Sequence, residues 1–346
     1  MKKILFVGLR ALGDMILVLP AIRAVRDTCS DAQIHCLLDQ PMEKLFAEEP
    51  MIDKIVVLPR GNGRKNRKIQ GFLTYSRFLL DLRKERYDLA IDLFTRGPRS
   101  RIIIFSSGAP RRLGIRDHVH FPDRWVYTDQ RRIPNSLNQL FDQESCLVGR
   151  LGFSPQNDFP ELSVHPHNLD EARDLMGAFP TEGGKGFLAV FPGSGLPNKN
   201  WPARNFRDLM IRILQRGVRI VVLGGPLDAG PFGQLQAFFP ETDSRILWIR
   251  QSDLTVLKGI LALSRGAVGN DSGPLHMAQA VGKPVVVLFG PGDHISYRPY
   301  RGRLVRAGLA CSPCQSFVND CPDNQCMKAI SVNQAEEALE QEGLLE

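Results

Sequence analysis

The chain has 346 residues, of which 43% are hydrophobic and 23% charged, the balance of a globular protein with room for two domains of ~100–200 residues each. It contains no apolar run of the ~18 residues that a membrane-spanning helix needs, which argues against one. The formal charge of +7 is lopsided: residues 1–170 carry 26 Lys and Arg against 20 Asp and Glu, whereas residues 171–346 carry 18 against 17.

Lys3–Gly8 reads as a first β-strand rather than a signal peptide, because Arg10 interrupts the apolar run and no small-residue cleavage site follows. Further strands are expected at Gln33–Leu38, Lys54–Leu58 and Leu89–Leu93, with apolar residues at helical spacing over Asp14–Arg26 and Gly71–Arg86. Between the first strand and first helix lies Gly8-Leu9-Arg10-Ala11-Leu12-Gly13-Asp14, which lacks the third glycine of a dinucleotide fingerprint. Asp14 stands where an N-cap is expected, and a carboxylate at that strand edge is also a candidate catalytic group. Basic residues concentrate at Arg60–Lys68 (Arg60, Arg64, Lys65, Arg67, Lys68) and at Arg96–Arg116, six arginines with no acid. Such stretches attract an anionic partner, but no aromatic residues interleave with them, which disfavours nucleic acid. Arg101–Ser107 is ambiguous: its Ile-Ile-Ile-Phe favours strand by propensity, and a buried helix is the alternative. Pro- and His-rich sequence at Ser163–Asn168 and glycines at 182–186 bracket an expected junction, drawn at residue 170.

The pattern then begins again. Strands are expected at Phe187–Phe191, Arg219–Leu223, Gly266–Gly269 and Pro284–Phe289, and helices at Pro202–Arg216, Leu254–Ser264 and Gly273–Val281. Strands alternating with helices point to parallel sheets, which bind ligands beyond the strand C-termini. After one strand, Pro192-Gly193-Ser194-Gly195-Leu196-Pro197-Asn198-Lys199-Asn200-Trp201-Pro202 can offer backbone N–H groups, the Ser194 hydroxyl and the Lys199 ammonium to an anion, with Pro202 opening a helix. After another, Asn270-Asp271-Ser272-Gly273-Pro274-Leu275-His276 opens a helix whose free N–H groups and dipole form a phosphate site, with His276 on its first turn. Gly224-Gly225-Pro226 and Gly290-Pro291-Gly292-Asp293 are two more strand-end turns. Four cysteines cluster as Cys311-x2-Cys314-x6-Cys321-x4-Cys326. Four thiolates so close could hold a structural zinc, although a zinc ribbon would show two Cys-x2-Cys pairs. Cys29, Cys36 and Cys146 read as small apolar core residues. Val332–Leu345 has the pattern of an amphipathic helix that could pack back on the N-terminal domain.

In order along the chain, Ala11-Leu12-Gly13-Asp14 with Leu19-Pro20-Ala21, Pro192-Gly193-Ser194 with Lys199-x-Trp201-Pro202, Leu223-Gly224-Gly225-Pro226, Asn270-Asp271-Ser272-Gly273-Pro274-x-His276 and Phe289-Gly290-Pro291 resemble glycosyltransferase family 9, the ADP-heptose:lipopolysaccharide heptosyltransferases. The cysteine-bearing tail is similar to that of some members. The resemblance implies an α/β GT-B architecture, two Rossmann-like doubly wound domains facing across a cleft. Residues 1–170 would bind the acceptor and 171–346 the nucleotide-sugar donor. It implies inverting transfer of heptose from ADP-L-glycero-D-manno-heptose to the lipopolysaccharide inner core, at the cytoplasmic face of the inner membrane. Asp14 matches the catalytic aspartate, Ser194 and Lys199 match donor-phosphate contacts, and Asp271, Ser272, Gly273 and His276 match the donor-binding loop. No metal or other cofactor is required; the partners are the nucleotide sugar, the anionic acceptor and, peripherally, the membrane surface. One departure is that Leu227 separates the Gly-Gly-Pro turn from Asp228, where the family often has an acid at once. Two rivals from other classes are a nucleotide-sugar epimerase of the same fold, which would act without acceptor, and a non-catalytic nucleotide-sugar or lipopolysaccharide binding protein, which would never consume donor.

Overall fold

A computed structural model describes residues 1–59, 68–93, 97–115, 123–131, 137, 139–149, 151–153, 159–180, 185–250, 253–314, 321 and 323–346. It divides into two compact units, Met1–Pro160 and Glu161–Glu346. The Arg60–Arg67 basic stretch, Arg96 and Arg116 lie outside the described residues.

The first unit holds strands β1 (Lys3–Gly8), β2 (Gln33–Leu38), β3 (Lys54–Val57), β4 (Leu89–Asp92), β5 (Arg111–Ile115) and β6 (Asp129–Arg131), all parallel, in the order β3-β2-β1-β4-β5-β6. The second holds β7 (Phe187–Phe191), β8 (Arg219–Gly224), β9 (Ile246–Arg250), β10 (Gly266–Asn270), β11 (Val285–Phe289) and β12 (Gly302–Arg306), also parallel, in the order β12-β11-β10-β7-β8-β9. Counted from the first strand of each unit, both orders are the same doubly wound sequence 3-2-1-4-5-6. Their central strands are buried end to end, as a sheet covered on both faces requires: β4 and β7 are buried at every position. In this topology the chain leaves the first and fourth strands of a unit in opposite directions, opening a crevice at their C-terminal ends. Those switch points fall between β1 and β4 and between β7 and β10.

Several sequence expectations need correction. The Arg101–Ser107 segment, open between strand and buried helix in the sequence, is helical as far as Ser106, in the Pro98–Ser106 helix. Proline at its first turn and burial of Ile103 and Ile104 override the β propensity of the isoleucines. Asp14 is not an N-cap: Ala11 occupies that position and Asp14 is the third residue of the Leu12–Leu17 helix. The expected Asp14–Arg26 helix is two, Leu12–Leu17 and Leu19–Thr28, interrupted at Val18 because Pro20 has no N–H to continue the ladder. Pro202 caps the Ala203–Gln215 helix from outside rather than opening it.

The division falls at Pro160, ten residues before the expected 170, because the segment read as a junction packs on the second unit. Pro166 opens the Pro166–Met176 helix, Leu162 N–H bonds Ala280 O at 2.9 Å, and the buried Lys258 donates to Ser163 O at 2.6 Å. The C-terminal helix, Val332–Gln341, packs on its own unit. Leu339 and Leu344 join Phe206, Met210 and Val286 in one core, and Arg212 pairs with Glu336 at 2.6 Å.

At the opposite edge of the first sheet from its switch-point loops, Glu85 accepts from Lys3 and Lys54, each at 2.7 Å. Hydrogen bonds from these two ammonium groups hold its pKa down from 4.5 to about 2. A depressed carboxylate contributes stability above its unfolded pKa and loses it as pH falls through the folded one. Glu85→Gln is therefore expected to flatten the stability profile between about pH 4.5 and 2. At neutral pH it should cost about 1 kcal/mol or less, since water screens these half-exposed pairs; denaturant midpoints measured against pH check both.

Candidate active site

The second unit gathers four strand-end loops at its switch point. Gly269 lets β10 press against the end of β7, where an added Cβ would lie 2.6 Å from Phe191 O. The next residue, Asn270, is fully buried and ties the two strands' loops together. Its Oδ1 accepts the Trp201 N–H at 2.9 Å and its Nδ2 donates to Pro192 O at 2.7 Å. Asn270→Ala would strand both backbone groups, each worth ~1–3 kcal/mol when buried and unpaired. A stability loss of about 3 kcal/mol is expected in denaturant unfolding, with weaker donor binding because the Pro192–Trp201 loop loses its anchor.

The loop so anchored carries Ser194 and Lys199. Ser194 is buried, with Oγ 2.7 Å from Leu196 O and 2.9 Å from Asn200 Oδ1, so its hydroxyl shapes the loop from within. Lys199, on the Pro197–Lys199 turn, reaches across to Asp271 with Nζ–Oδ2 at 2.6 Å. The side chains are only 17% and 8% exposed, so the pair is largely removed from water and screened little by salt. Gly292 closes in from the loop after β11, where a Cβ would stand 2.6 Å from Asp271 Oδ2.

Ser272 caps the Gly273–Ala280 helix in extended conformation, and its buried Oγ has no hydrogen-bond partner among the described residues. Gly273 and Pro274 form the helix start, where the dipole favours an anion. His276 is buried one turn in, edge-on to Tyr297 at 6.0 Å between ring centroids. The fourth loop packs on the first, since Gly193 lies directly against Asp228. Asp228 Oδ2 accepts the Gly225 N–H at 3.0 Å, so this carboxylate closes its own turn, while Leu227 is 78% exposed beside Gly195.

Six of the seven expected site residues therefore share one strand edge. Asp14, the seventh, belongs to the first unit. There Gly8 leaves room for the Met15 side chain, which folds the Leu12–Leu17 helix back over β1. Asp14 lies on the first turn of that helix, 12% exposed, with Oδ2 3.8 Å from Arg10 Nε. Across the same switch point Asp92 ends β4, opposite Val7 of β1. It is buried and accepts from Ser100 Oγ at 2.8 Å and Tyr127 Oη at 2.5 Å. Asp92 was not singled out from the sequence, and Asn270 and Gly292 were read only as members of strand-end loops, without a role of their own. The available signal was a polar residue ending an apolar strand at the first and fourth positions of a doubly wound sheet.

The cysteine tail adjoins the β11 loop: Gly290 lies against Cys326 and Met327, and Cys314 N–H bonds Pro291 O at 2.9 Å. No group of three or more His, Cys, Asp or Glu among the described residues is placed to hold a metal ion. Of the scattered cysteines, Cys36 is buried and Cys29 and Cys146 half-buried.

Two doubly wound units, one with a cationic side chain, a free hydroxyl and a helix start converging at its switch point, have the GT-B architecture. Residues 76–326 match the family "Glycosyltransferase family 9 (heptosyltransferase)", and the chain belongs to it. Lipopolysaccharide heptosyltransferase 2 of Escherichia coli K12 is 24% identical over 318 residues, covering 88% of each chain. Among solved structures, E. coli ADP-heptose lps heptosyltransferase II superposes with a TM-score of 0.79 at 20% identity, over 100% of this chain and 98% of that one. E. coli heptosyltransferase WaaC with ADP-2-deoxy-2-fluoro heptose gives 0.75 at 18% identity, over 98% and 99%.

Proposed function

We propose that this glycosyltransferase moves heptose from ADP-L-glycero-D-manno-heptose to the lipopolysaccharide inner core with inversion at the anomeric carbon. The observation that carries the reading is the Lys199–Asp271 pair set beside the Ser272-capped helix start, a cradle with the charge and free donors for a diphosphate. The second unit, from residue 161 on, is then the donor domain and the first the acceptor domain.

In this scheme the acceptor hydroxyl attacks the anomeric carbon as the bond to ADP breaks. Asp14 accepts the hydroxyl proton as general base. Negative charge grows on the departing diphosphate, where the Lys199 ammonium and the N–H groups at Gly273 stabilise it. Asp271 holds Lys199 in place, and Ser272 Oγ supplies a donor to a phosphate oxygen. Ser194 acts through the loop that presents Lys199, and His276 lines the same cradle. The scheme balances charge with protein groups and calls for no metal. An anionic acceptor suits the basic first half of the chain, and a membrane-held acceptor would set the reaction at the cytoplasmic face of the inner membrane. Among the described residues no helix is long and apolar enough to cross a membrane.

Incubation with ADP-heptose and heptose-deficient core oligosaccharide, followed by mass analysis, tests this reading. The expected product is the acceptor heavier by one heptose residue, with ADP released in equal amount. Donor isomerised without acceptor would favour the epimerase, and donor bound but never consumed would favour the binding protein.

A further inference from the structure

The two units repeat one topology, and their strand ends correspond place by place. In the second unit the fourth strand in chain order, β10, ends in Asn270, and the Gly273–Ala280 helix of the donor cradle follows it. In the first unit the fourth strand, β4, ends in Asp92, and the Pro98–Ser106 helix follows. Asn270 and Asp92 are both buried, and both helices carry proline in their first turn. Asn270 fastens the loop of the first strand, whereas Asp92 fastens segments that come after its own strand. Its Oδ2 takes Ser100 Oγ, on the first turn of the Pro98–Ser106 helix, and Tyr127 Oη, just past the Asp123–Val126 turn.

The neighbours of these groups are what let them meet. Gly114 of β5 leaves room for the Tyr127 ring, since a Cβ there would lie 2.5 Å from it. The ring shares the core with Ala90, Ile103 and Ile104, while its hydroxyl reaches the C-terminal end of β4. Arg112 holds the turn that delivers Tyr127, with Nε donating to Val126 O at 2.5 Å and Nη1 to Ala109 O at 2.7 Å. Ser100 Oγ also lies 3.0 Å from Gly97 O, so the helix start is closed on itself as well as on Asp92. A buried carboxyl group costs free energy unless its oxygens are satisfied, and an apolar residue would end β4 without this apparatus. Its place gives the reason to keep it. Doubly wound sheets take ligands at the C-terminal edge between the first and fourth strands. Asp92 stands on that edge opposite Val7 of β1, the strand whose loop leads to Asp14.

We infer that Asp92 is a positioning residue for the acceptor. With Ser100 and Tyr127 it fixes the start of the Pro98–Ser106 helix as one wall of the first unit's crevice, so that the acceptor hydroxyl is presented to Asp14. Asp92 acts through the helix start that it holds and not on the reacting atoms. The inference rests on the reading of the first unit as the acceptor domain and of Asp14 as the base.

Tyr127→Phe and Ser100→Ala each take one hydroxyl away from Asp92 and keep the rest of the side chain. With ADP-heptose saturating, each is expected to lower kcat/KM for heptose-deficient core oligosaccharide about tenfold or more, the kind of loss that a misplaced reactant produces. ADP affinity, measured by titration, should stay within about twofold of wild type. A bond that served stability alone would lower the thermal midpoint and leave the acceptor kinetics unchanged well below it. Should one variant fold poorly, the other makes the same test. Wild-type acceptor kinetics in the folded variants would overturn the proposal and leave the transferase reading intact. Weakened ADP binding with acceptor kinetics kept would overturn it as well, together with the acceptor assignment of the first unit. A wild-type enzyme that leaves the oligosaccharide unextended would remove the reading itself and this inference with it.

Discussion

Asp14→Asn is expected to lower kcat by ~10²–10⁴-fold, the share of rate that a positioned general base supplies, while leaving ADP-heptose affinity within about twofold. The substitution keeps shape and removes only the capacity to take a proton. Asp14 sits on the first helical turn beyond β1, on a helix held down by the Gly8–Met15 contact, so its side chain is placed by packing rather than by a loop. Arg10 Nε lies 3.8 Å from its Oδ2. Steady-state kinetics with a separate donor titration read both numbers. Equal losses in binding and turnover would instead assign Asp14 a structural part in the β1 edge.

Lys199→Met is expected to reduce donor affinity by about 100-fold or more and turnover with it, since a charge-assisted contact to phosphate is lost in a site shielded from water. The effect is enlarged because Asp271, 8% exposed, is left without its ion-pair partner beside the incoming diphosphate. Lys199→Met should also lower stability for the same reason. Adding Asp271→Asn should recover much of the stability without recovering donor affinity. That split separates a phosphate-binding lysine from one kept only to neutralise a buried acid; recovery of both together would favour the latter. Unfolding curves and donor titrations on the two variants provide the readout.

The interior strands were legible because a sheet covered on both faces requires continuous apolar runs, and β1, β2, β7, β10 and β11 have them. β6, β9 and β12 were not found in the sequence. They are edge strands whose outer positions meet water, so residues such as Arg250 and Arg303 interrupt the pattern. β5 was hidden for a similar reason, beginning Arg111-Arg112, with Arg112 turned to Val126 O and Ala109 O. The donor loops stood out through their Gly, Pro, Asn and Ser content, because turns after strands need those residues. What they lacked was pairing information. That Asn270 fastens Trp201 to Pro192, or that Asp228 closes onto Gly225, depends on contacts between segments far apart in sequence or on a local turn geometry that composition leaves open. The C-terminal helix shows the same gap: its amphipathic pattern gave the helix and not the surface it covers, which Phe206 and Val286 of the second core supply.

Calorimetric titration of the intact protein with ADP tests the central claim most directly, namely that the β7 and β10 loops cradle a diphosphate. One site per chain is expected, unchanged in Asp14→Asn and weakened about 100-fold or more in Lys199→Met. A wild-type protein that does not bind ADP, or binds it as well after Lys199→Met, would contradict the account.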